Sequence, residues 1–264
     1  MLTAAELNQR GGSGFVYRIT AKPLGAELTV STETDHLNVP AGGTAVLKLT
    51  RTGHKKPVTI TASDVPPGWS VSPTILGTGQ MQGVMTMTHT GDSASPLFVP
   101  SLQLRASSED PVIHTPAVQK RYANWITIPE SLSVTLAVAT TDATPFRLTM
   151  KPERIEVAQK SEAKVEIIAT RSEGTTEPIT LSLQTVTVNK KAVPVLPANV
   201  TTKFEPIPKD GASGTVTFSG SDKAVPGEYT VVVLGTLKRG KQTFVVPAAS
   251  IPLRIKPAQS DSAQ

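Results

Sequence analysis

The sequence contains no cysteine and few aromatic side chains. Cys is absent from its 264 residues, and Phe, Trp and Tyr make up 4% of them. A disulfide scaffold is therefore excluded. The histidines have no second His, Cys or carboxylate at the spacing of zinc ligands, so we expect neither a metal site nor a cofactor. The four are His36, His54, His89 and His114.

Long hydrophobic runs are also missing. The longest apolar stretch, around residues 231–234, has the length of a strand, whereas a membrane helix needs about 20 apolar residues. Residues 1–7 lack the basic-then-apolar order of a signal peptide. We therefore expect no membrane span, and the protein either stays inside the cell or is a piece of a longer secreted chain.

Positive charge is in slight excess and is not concentrated in one place. The net charge is +5, and the isoelectric point is about 9.4. Residues 139–258 carry 16 basic and 11 acidic side chains, which alternate as in Lys164-Val165-Glu166. This alternation is typical of solvated strand faces and not of a phosphate-binding track, so we expect no nucleic-acid partner.

Threonine, valine and proline are abundant. With 35 Thr, 27 Val and 22 Pro, the composition favours pleated, half-buried strands and disfavours helices. A chain of this length matches two β-sandwiches of about 100–130 residues each. We therefore predict an all-β protein.

An internal duplication supports two sandwiches. Residues 45–50 and 163–170 both alternate with period two, and Val46, Lys48 and Thr50 are predicted to lie opposite the apolar face. Around them, five pairs of segments match: 28–30 with 148–150, 37–39 with 155–157, 57–60 with 178–181, 65–70 with 196–201, and 83–87 with 214–218. The offset grows to 131, which indicates an insertion of about ten residues in the second copy near Thr185 to Val193.

The copies predict tandem sandwiches at residues 26–138 and 146–258. Between them, residues 139–145 form a short polar linker that is too short to separate the sandwiches widely. Residues 1–25 contain one alternating strand, which either joins the first sandwich or ends an upstream β-domain. Residues 259–264 are predicted to be a disordered tail.

Two segments of the first copy resemble a known family. Leu37-Asn38-Val39-Pro40-Ala41-Gly42-Gly43-Thr44 and Val65-Pro66-Pro67-Gly68-Trp69-Ser70-Val71 resemble bacterial immunoglobulin-like domains. The second copy departs from this pattern, because Asn199-Val200 replaces Gly68-Trp69. Residues 7–19 look like the end of a bacterial pre-peptidase C-terminal domain. The resemblance implies two consecutive immunoglobulin-like sandwiches in an extracellular, cell-surface or periplasmic protein, and it carries over no catalytic residues.

The predicted core consists of inward-facing apolar side chains, and Trp69 is predicted to pack with them. They are Leu47, Leu49, Ile60, Val134, Val165, Ile167, Leu181, Val231 and Leu253.

Two groups of residues are candidates for ligand contact. Tyr122 and Trp125 have opposite parity on a strand, so both cannot face the core, and an exposed ring would suit a sugar. Lys238, Arg239 and Lys241 occupy a predicted hairpin tip, which would contact an anionic polymer or simply be solvated. Calcium is not supported, because the linker offers only Asp142, with Glu130 upstream.

Three functions follow as hypotheses. The leading one is a non-catalytic spacer or interaction module, whose partners are other domains of a larger chain or surface proteins. The second is a polysaccharide-binding accessory module that uses Tyr122 or Trp125. The third, a hydrolase, would need a nucleophile–base pair, such as Ser or Asp within about 3 Å of one of the histidines.

Overall fold

A computed structural model describes residues 28–91, 101–109, 112–119 and 135–258. The described residues form strands joined by turns and loops, so the predicted all-β fold class is confirmed. Among them, no helix is long and apolar enough to span a bilayer.

The strands fall into two groups. The described strands of the first sandwich are β1 (Leu28–Thr32), β2 (His36–Pro40), β3 (Thr44–Gly53), β4 (Val58–Ser63), β5 (Trp69–Val71), β6 (Thr74–Leu76), β7 (Gln82–His89), β8 (Ser101–Glu109), β9 (Val112–Gln119) and β10 (Thr135–Thr141). Those of the second sandwich are β11 (Phe146–Lys151), β12 (Ile155–Ala158), β13 (Ser161–Arg171), β14 (Ile179–Leu183), β15 (Thr185–Val188), β16 (Lys191–Pro194), β17 (Val200–Glu205), β18 (Ser213–Gly220), β19 (Gly227–Val231), β20 (Val233–Arg239), β21 (Gln242–Pro247) and β22 (Ile251–Lys256).

The second sandwich has two facing layers. One is a four-stranded sheet in the order β11-β13-β18-β17. The other consists of two three-stranded ladders, β14-β20-β21 and β12-β22-β19, which β19 and β20 bring together because only Val232 separates them in the chain. This is the layer arrangement of an immunoglobulin-like sandwich.

The first sandwich repeats that arrangement. Strands β1, β3, β7 and β5 form one layer, and β4, β8 and β10 form the other with β2 and β6 at its edges. Strand β9 pairs with β8 in one layer and with β1 in the other, which joins both layers into one ten-stranded sheet.

Each sandwich has its own hydrophobic core. One cluster of buried side chains lies between Leu28 and Val138, and another lies between Phe146 and Ile255. Eight of the nine predicted core residues are buried, and Val134 lies outside the described residues. Trp69 is partly buried and packs against the first core, which agrees with its prediction.

Equivalent turns confirm the match between segments 65–70 and 196–201. Gly68 and Asn199 both have positive φ, of 80° and 63°. Each precedes a residue whose amide donates to a proline carbonyl three positions back, Trp69 to Pro66 and Val200 to Pro197. Asn is one of the few residues besides Gly that adopt this conformation readily, which explains how the second copy keeps the turn without Gly.

The insertion in the second copy forms a hairpin. Strands β15 and β16 pair only with each other, and their two-residue turn consists of Asn189 and Lys190. Of the stretch 139–145, residues 139–141 belong to β10, which pairs with β2, and residues 142–145 lead into β11. The connection between the two sandwiches is therefore very short.

Candidate functional site

The structure places a serine beside one of the histidines. Nε2 of His54 lies 2.9 Å from Oγ of Ser108, and both residues are buried at the end of the first core. The distance meets the condition set for a hydrolase. Within the described residues, however, no carboxylate contacts the His54 ring, so these residues supply no third member to orient a catalytic base. The pair instead satisfies two buried polar groups.

The other histidines also have local roles. Nδ1 of His36 lies 2.9 Å from Oδ1 of the neighbouring Asp35 on the surface, and this contact lowers the pKa of Asp35. The ring of His89 packs edge-on against Trp69 at a centroid distance of 4.7 Å. His114 is exposed. In the described ranges, no three His, Asp or Glu side chains are grouped so as to hold a metal ion, and Glu130 lies outside those ranges.

The predicted hairpin tip is formed by β20 and β21, with Gly240 and Lys241 in the turn. Nε of Arg239 donates to Oε1 of Glu177 at 2.8 Å, and Nη2 donates to Oγ1 of Thr175 at 2.7 Å. The Arg239 guanidinium therefore faces Glu177 and lowers the pKa of that carboxyl to about 2. Lys238 and Lys241 are exposed, so two of the three predicted charges point to solvent.

The aromatic candidates give no ligand site in the described part of the chain. Tyr122 and Trp125 both lie outside the described residues, so their proposed contact with a ligand stays a prediction. Tyr229 is 3% exposed, and its hydroxyl donates to the Val225 carbonyl at 3.0 Å. Burial raises the pKa of this hydroxyl.

Two inward-facing arginines escaped the sequence analysis. Arg51 ends the buried face of β3, is 0% exposed, and donates to the carbonyls of Lys56 at 2.6 Å and Gly77 at 3.2 Å. Arg171 ends β13 and donates to the carbonyls of Glu177 at 2.7 Å and Pro208 at 3.2 Å. The acceptor residues of the two arginines are offset by 121 residues (Lys56 and Glu177) and by 131 residues (Gly77 and Pro208), as in the matched segments. In both copies, therefore, one arginine donates hydrogen bonds to the same two loops.

The two sandwiches meet in a buried junction. Its apolar part, the valine cluster, joins the outer face of β3 and β7 to the second sandwich. Val84 and Val232 are the most buried members, at 0% and 1% exposed. The cluster consists of Val84, Val186, Val195 and Val232, with Val46 and Leu234 packed against it. Full burial of a valine stabilises an interface by about 1.5–3 kcal/mol, so even a small cluster opposes separation of the sandwiches.

Hydrogen bonds surround the valine cluster. Oγ1 of Thr86 donates to Oγ of Ser250 at 2.8 Å and accepts from the Ser250 amide at 2.8 Å, and both residues are buried. Oγ1 of Thr230 accepts from the Ile75 amide at 2.7 Å. Thr86, Thr230 and Ser250 are buried, so separating the sandwiches would break hydrogen bonds that stabilise the junction.

The insertion hairpin and a glycine complete the junction. Val186 of β15 belongs to the valine cluster, and Nε2 of Gln82 lies 3.4 Å from the Thr187 carbonyl. The ring of Tyr229 lies so close to Gly77 that a Cβ there would overlap it. A feature found only in the second copy thus reaches across to the first.

The junction covers part of the strand face that lies opposite the first core. Val46 lies on that face with Lys48 and Thr50, as predicted, and it packs there against the second sandwich. In the second sandwich the ladder partners place Lys164 and Thr215 at the positions of Val46 and Val84. Lys164 is exposed there and Thr215 is partly exposed. The missed signal was the pair of valines on an otherwise polar face.

An open cavity lies on the outer face of β4, β8 and β9 in the first sandwich. Its volume is about 380 Å³. Its lining includes the outward-facing side chains of Thr61, Gln103, Arg105, Ser107 and His114. Ser107 also borders a cavity of about 550 Å³ that reaches Glu228 of the second sandwich. We call these two cavities, which share Ser107, the groove, and its second part reaches the junction.

Comparison with known proteins adds little. No protein-family model and no curated protein matches the sequence. The chain is similar to the fibronectin(III)-like modules of Clostridium thermocellum CbhA, at 11% identity over 89% of this chain and 98% of that chain, with a TM-score of 0.28. It is also similar to one chain of a structure on T cell specificity and activation by the bacterial superantigen toxic shock syndrome toxin-1, at 11% identity over 41% of this chain and 97% of that chain, with a TM-score of 0.27. At these TM-scores neither likeness adds to what the strand order shows.

Proposed function

We propose that the chain is a non-catalytic structural module, a rigid two-sandwich spacer that holds its partners at a fixed distance. Those partners are other domains of a larger chain or surface proteins. The observation that supports this function is the buried junction, in which the valine cluster and the Thr86–Ser250 pair join sandwiches that have a very short connection. A junction that is both apolar and hydrogen-bonded restricts relative motion, whereas a polar contact would permit it.

Spin labels measure this rigidity directly. The chain has no cysteine, so Asn38→Cys and Lys203→Cys place one label on an exposed position of each sandwich. We expect double electron–electron resonance to give one narrow distance distribution. Val84→Lys should broaden it, because a buried charge would force the junction open.

The matched control is Thr215→Lys, at the equivalent position of the second sandwich. It should leave the distribution narrow, because Thr215 is not part of the valine cluster. A broad distribution in the unsubstituted junction would contradict the spacer function.

The proposal of a non-catalytic role has its own test. Ser108 is the residue to change, because it is the serine bonded to His54. We expect the rate of p-nitrophenyl acetate hydrolysis to be the same with the native chain and with Ser108→Ala. A native rate well above background that the substitution removes would establish the hydrolase instead.

We further propose that this spacer belongs to a bacterial surface or secreted protein and that residues 1–25 end a pre-peptidase C-terminal domain. The support is the motif resemblance in residues 7–19 and 37–71. Sequencing the adjoining genomic region tests it. An upstream reading frame with a signal peptide and a β-rich module is expected, and an upstream stop codon directly before Met1 would contradict it.

The second candidate function is polysaccharide binding. The open cavity beside Arg105 favours it, because its lining includes several hydrogen-bonding side chains in a concave site, as saccharide recognition requires. A glycan pull-down tests it with the native chain and Trp125→Ala. Retention by the native chain supports binding, and loss in the variant assigns it to Trp125. No retention by either chain leaves the spacer as the function.

A further inference from the structure

We propose that the groove on the outer face of β4, β8 and β9 binds a carboxylate-bearing oligosaccharide, a uronate, with Arg105 as the residue that holds the carboxylate. The inference rests on the second candidate function and does not depend on the spacer. It adds the ligand class and the residue that recognises it.

Strand pairing places polar side chains in rows across this face. On β4 and β8, Thr59 pairs with Ser107 and Thr61 pairs with Arg105, while His114 of β9 pairs with Ser107 from the other side. Because neighbouring strands lie about 4.8 Å apart, these side chains form one continuous surface. Their apolar neighbours on β8, Leu104 and Ala106, are buried in the core.

Arg105 stands out because its charge is uncompensated. Among the described residues it makes no hydrogen bond or ion pair, and the same is true of the side chains of Thr61, Gln103 and His114. In the second sandwich, Arg154 has Glu228 at 2.6 Å and Arg239 has Glu177 as ion-pair partners, and Arg254 lies in the ladder between Glu156 and Glu228. An unpaired guanidinium at a cavity presents a planar set of donors that matches a carboxylate in two parallel hydrogen bonds.

In the second sandwich, the equivalent face packs against a neighbouring domain. Ladder partners place Val233 at the position of Leu104, so Val232 and Leu234 on either side of it correspond to Gln103 and Arg105. Val232 and Leu234 pack in the junction against the first sandwich. The fold therefore uses this face for contact in the second copy, and the first copy keeps it open with polar residues in place of apolar ones.

The lining favours a saccharide over an acidic peptide. Hydroxyl, amide and imidazole groups surround Arg105, and the apolar side chains among the described lining residues, Leu104 and Ala106, are buried in the core. A uronate offers one carboxylate for Arg105 and ring hydroxyls for Thr61, Gln103 and Ser107.

Isothermal titration calorimetry of the full chain tests the proposal. The probes are trigalacturonate, its methyl ester, which lacks the charge, and poly-glutamate. We expect trigalacturonate to bind and the methyl ester to bind at least tenfold more weakly, since the ester removes a charge-assisted pair. Arg105→Gln should lower the affinity for trigalacturonate by about tenfold or more. Arg105→Lys keeps the charge without the planar donors, so its affinity should lie between those of the native chain and Arg105→Gln.

The control is Arg254→Gln, which removes an exposed arginine from an outer strand face of the second sandwich. Arg254 lies between Glu156 and Glu228 in the ladder, so trigalacturonate affinity should not change. Circular dichroism checks that each variant is folded. Equal binding of the ester, or unchanged affinity in Arg105→Gln, would overturn the inference while leaving binding of neutral polysaccharides possible. Binding of poly-glutamate alone would overturn both the inference and the second candidate function.

Discussion

Arg51 is an arginine in a position that normally holds an apolar side chain. It follows Leu47 and Leu49 on the inward face of β3, and its guanidinium lies beneath the loops that carry Lys56 and Gly77. Burial lowers the pKa of Arg51. A buried charge is tolerated only where several acceptors surround it, and here backbone carbonyls take that role. The sequence gives no sign of this, because an arginine at the end of an alternating strand usually faces solvent.

Replacing Arg51 by methionine should destabilise the chain strongly. Arg51→Met keeps much of the side-chain volume but leaves the carbonyls without donors, so we expect the free energy of unfolding to fall by about 3 kcal/mol. Urea denaturation measures it. The exposed Arg105→Met is the control and should change stability by less than about 0.5 kcal/mol. Similar values for the two variants would mean that the Arg51 hydrogen bonds stabilise little.

The Glu177–Arg239 pair makes stability depend on pH. Arg239 lowers the pKa of Glu177 from its ordinary 4.5 to about 2. A lowered carboxyl pKa stabilises the folded chain fully above pH 4.5, and this contribution disappears as the pH falls toward 2. The melting temperature of the native chain should therefore be higher than that of Glu177→Gln at about pH 7. This difference should disappear at about pH 2. If the difference in melting temperature remains at about pH 2, the charge of Glu177 is not its cause.

Sequence matching predicted the position of the insertion hairpin but not its contact with the first sandwich. The growing offset between the copies placed extra residues at 185–193, and the structure confirms a hairpin there. Its contact with the first sandwich was not predictable, because Val186 meets Val84 across about one hundred residues of chain. Period-two alternation states which residues share a face. It does not state whether water or another domain covers that face, as Val46 illustrates.

The turn of this hairpin is strained by a side chain. Asn189 and Lys190 both have positive φ, of 50° and 64°, and Lys adopts this conformation less readily than Gly. We expect Lys190→Gly to raise the free energy of unfolding by about 0.5 kcal/mol, because Asn-Gly is the preferred pair for such a turn. Urea denaturation of Lys191→Gly provides the control. Lys191 lies on β16, where glycine should destabilise by about 0.5–1 kcal/mol. If Lys191→Gly were more stable than Lys190→Gly, the assignment of Asn189 and Lys190 to the turn would be contradicted.

At the scale of the whole molecule, the junction makes one unit out of two cores. Each core is buried independently, and the presence of two cores could be anticipated from the duplicated segments. The coupling between them could not, because it depends on two valines in the first copy whose equivalents in the second are Lys164 and Thr215. The duplication is thus structurally symmetric in its cores and asymmetric on its surfaces.

Coupled unfolding is the consequence that tests the whole arrangement. Both tryptophans, Trp69 and Trp125, belong to the predicted first sandwich, so fluorescence follows that sandwich, whereas circular dichroism follows both. We expect the two signals to coincide in urea denaturation of the native chain, because opening the junction exposes buried valines and hydrogen bonds on both sides. Val84→Lys should separate the two curves, with fluorescence changing at the lower urea concentration. Thr215→Lys should keep them together, and coincident curves in Val84→Lys would show that the junction does not couple the sandwiches.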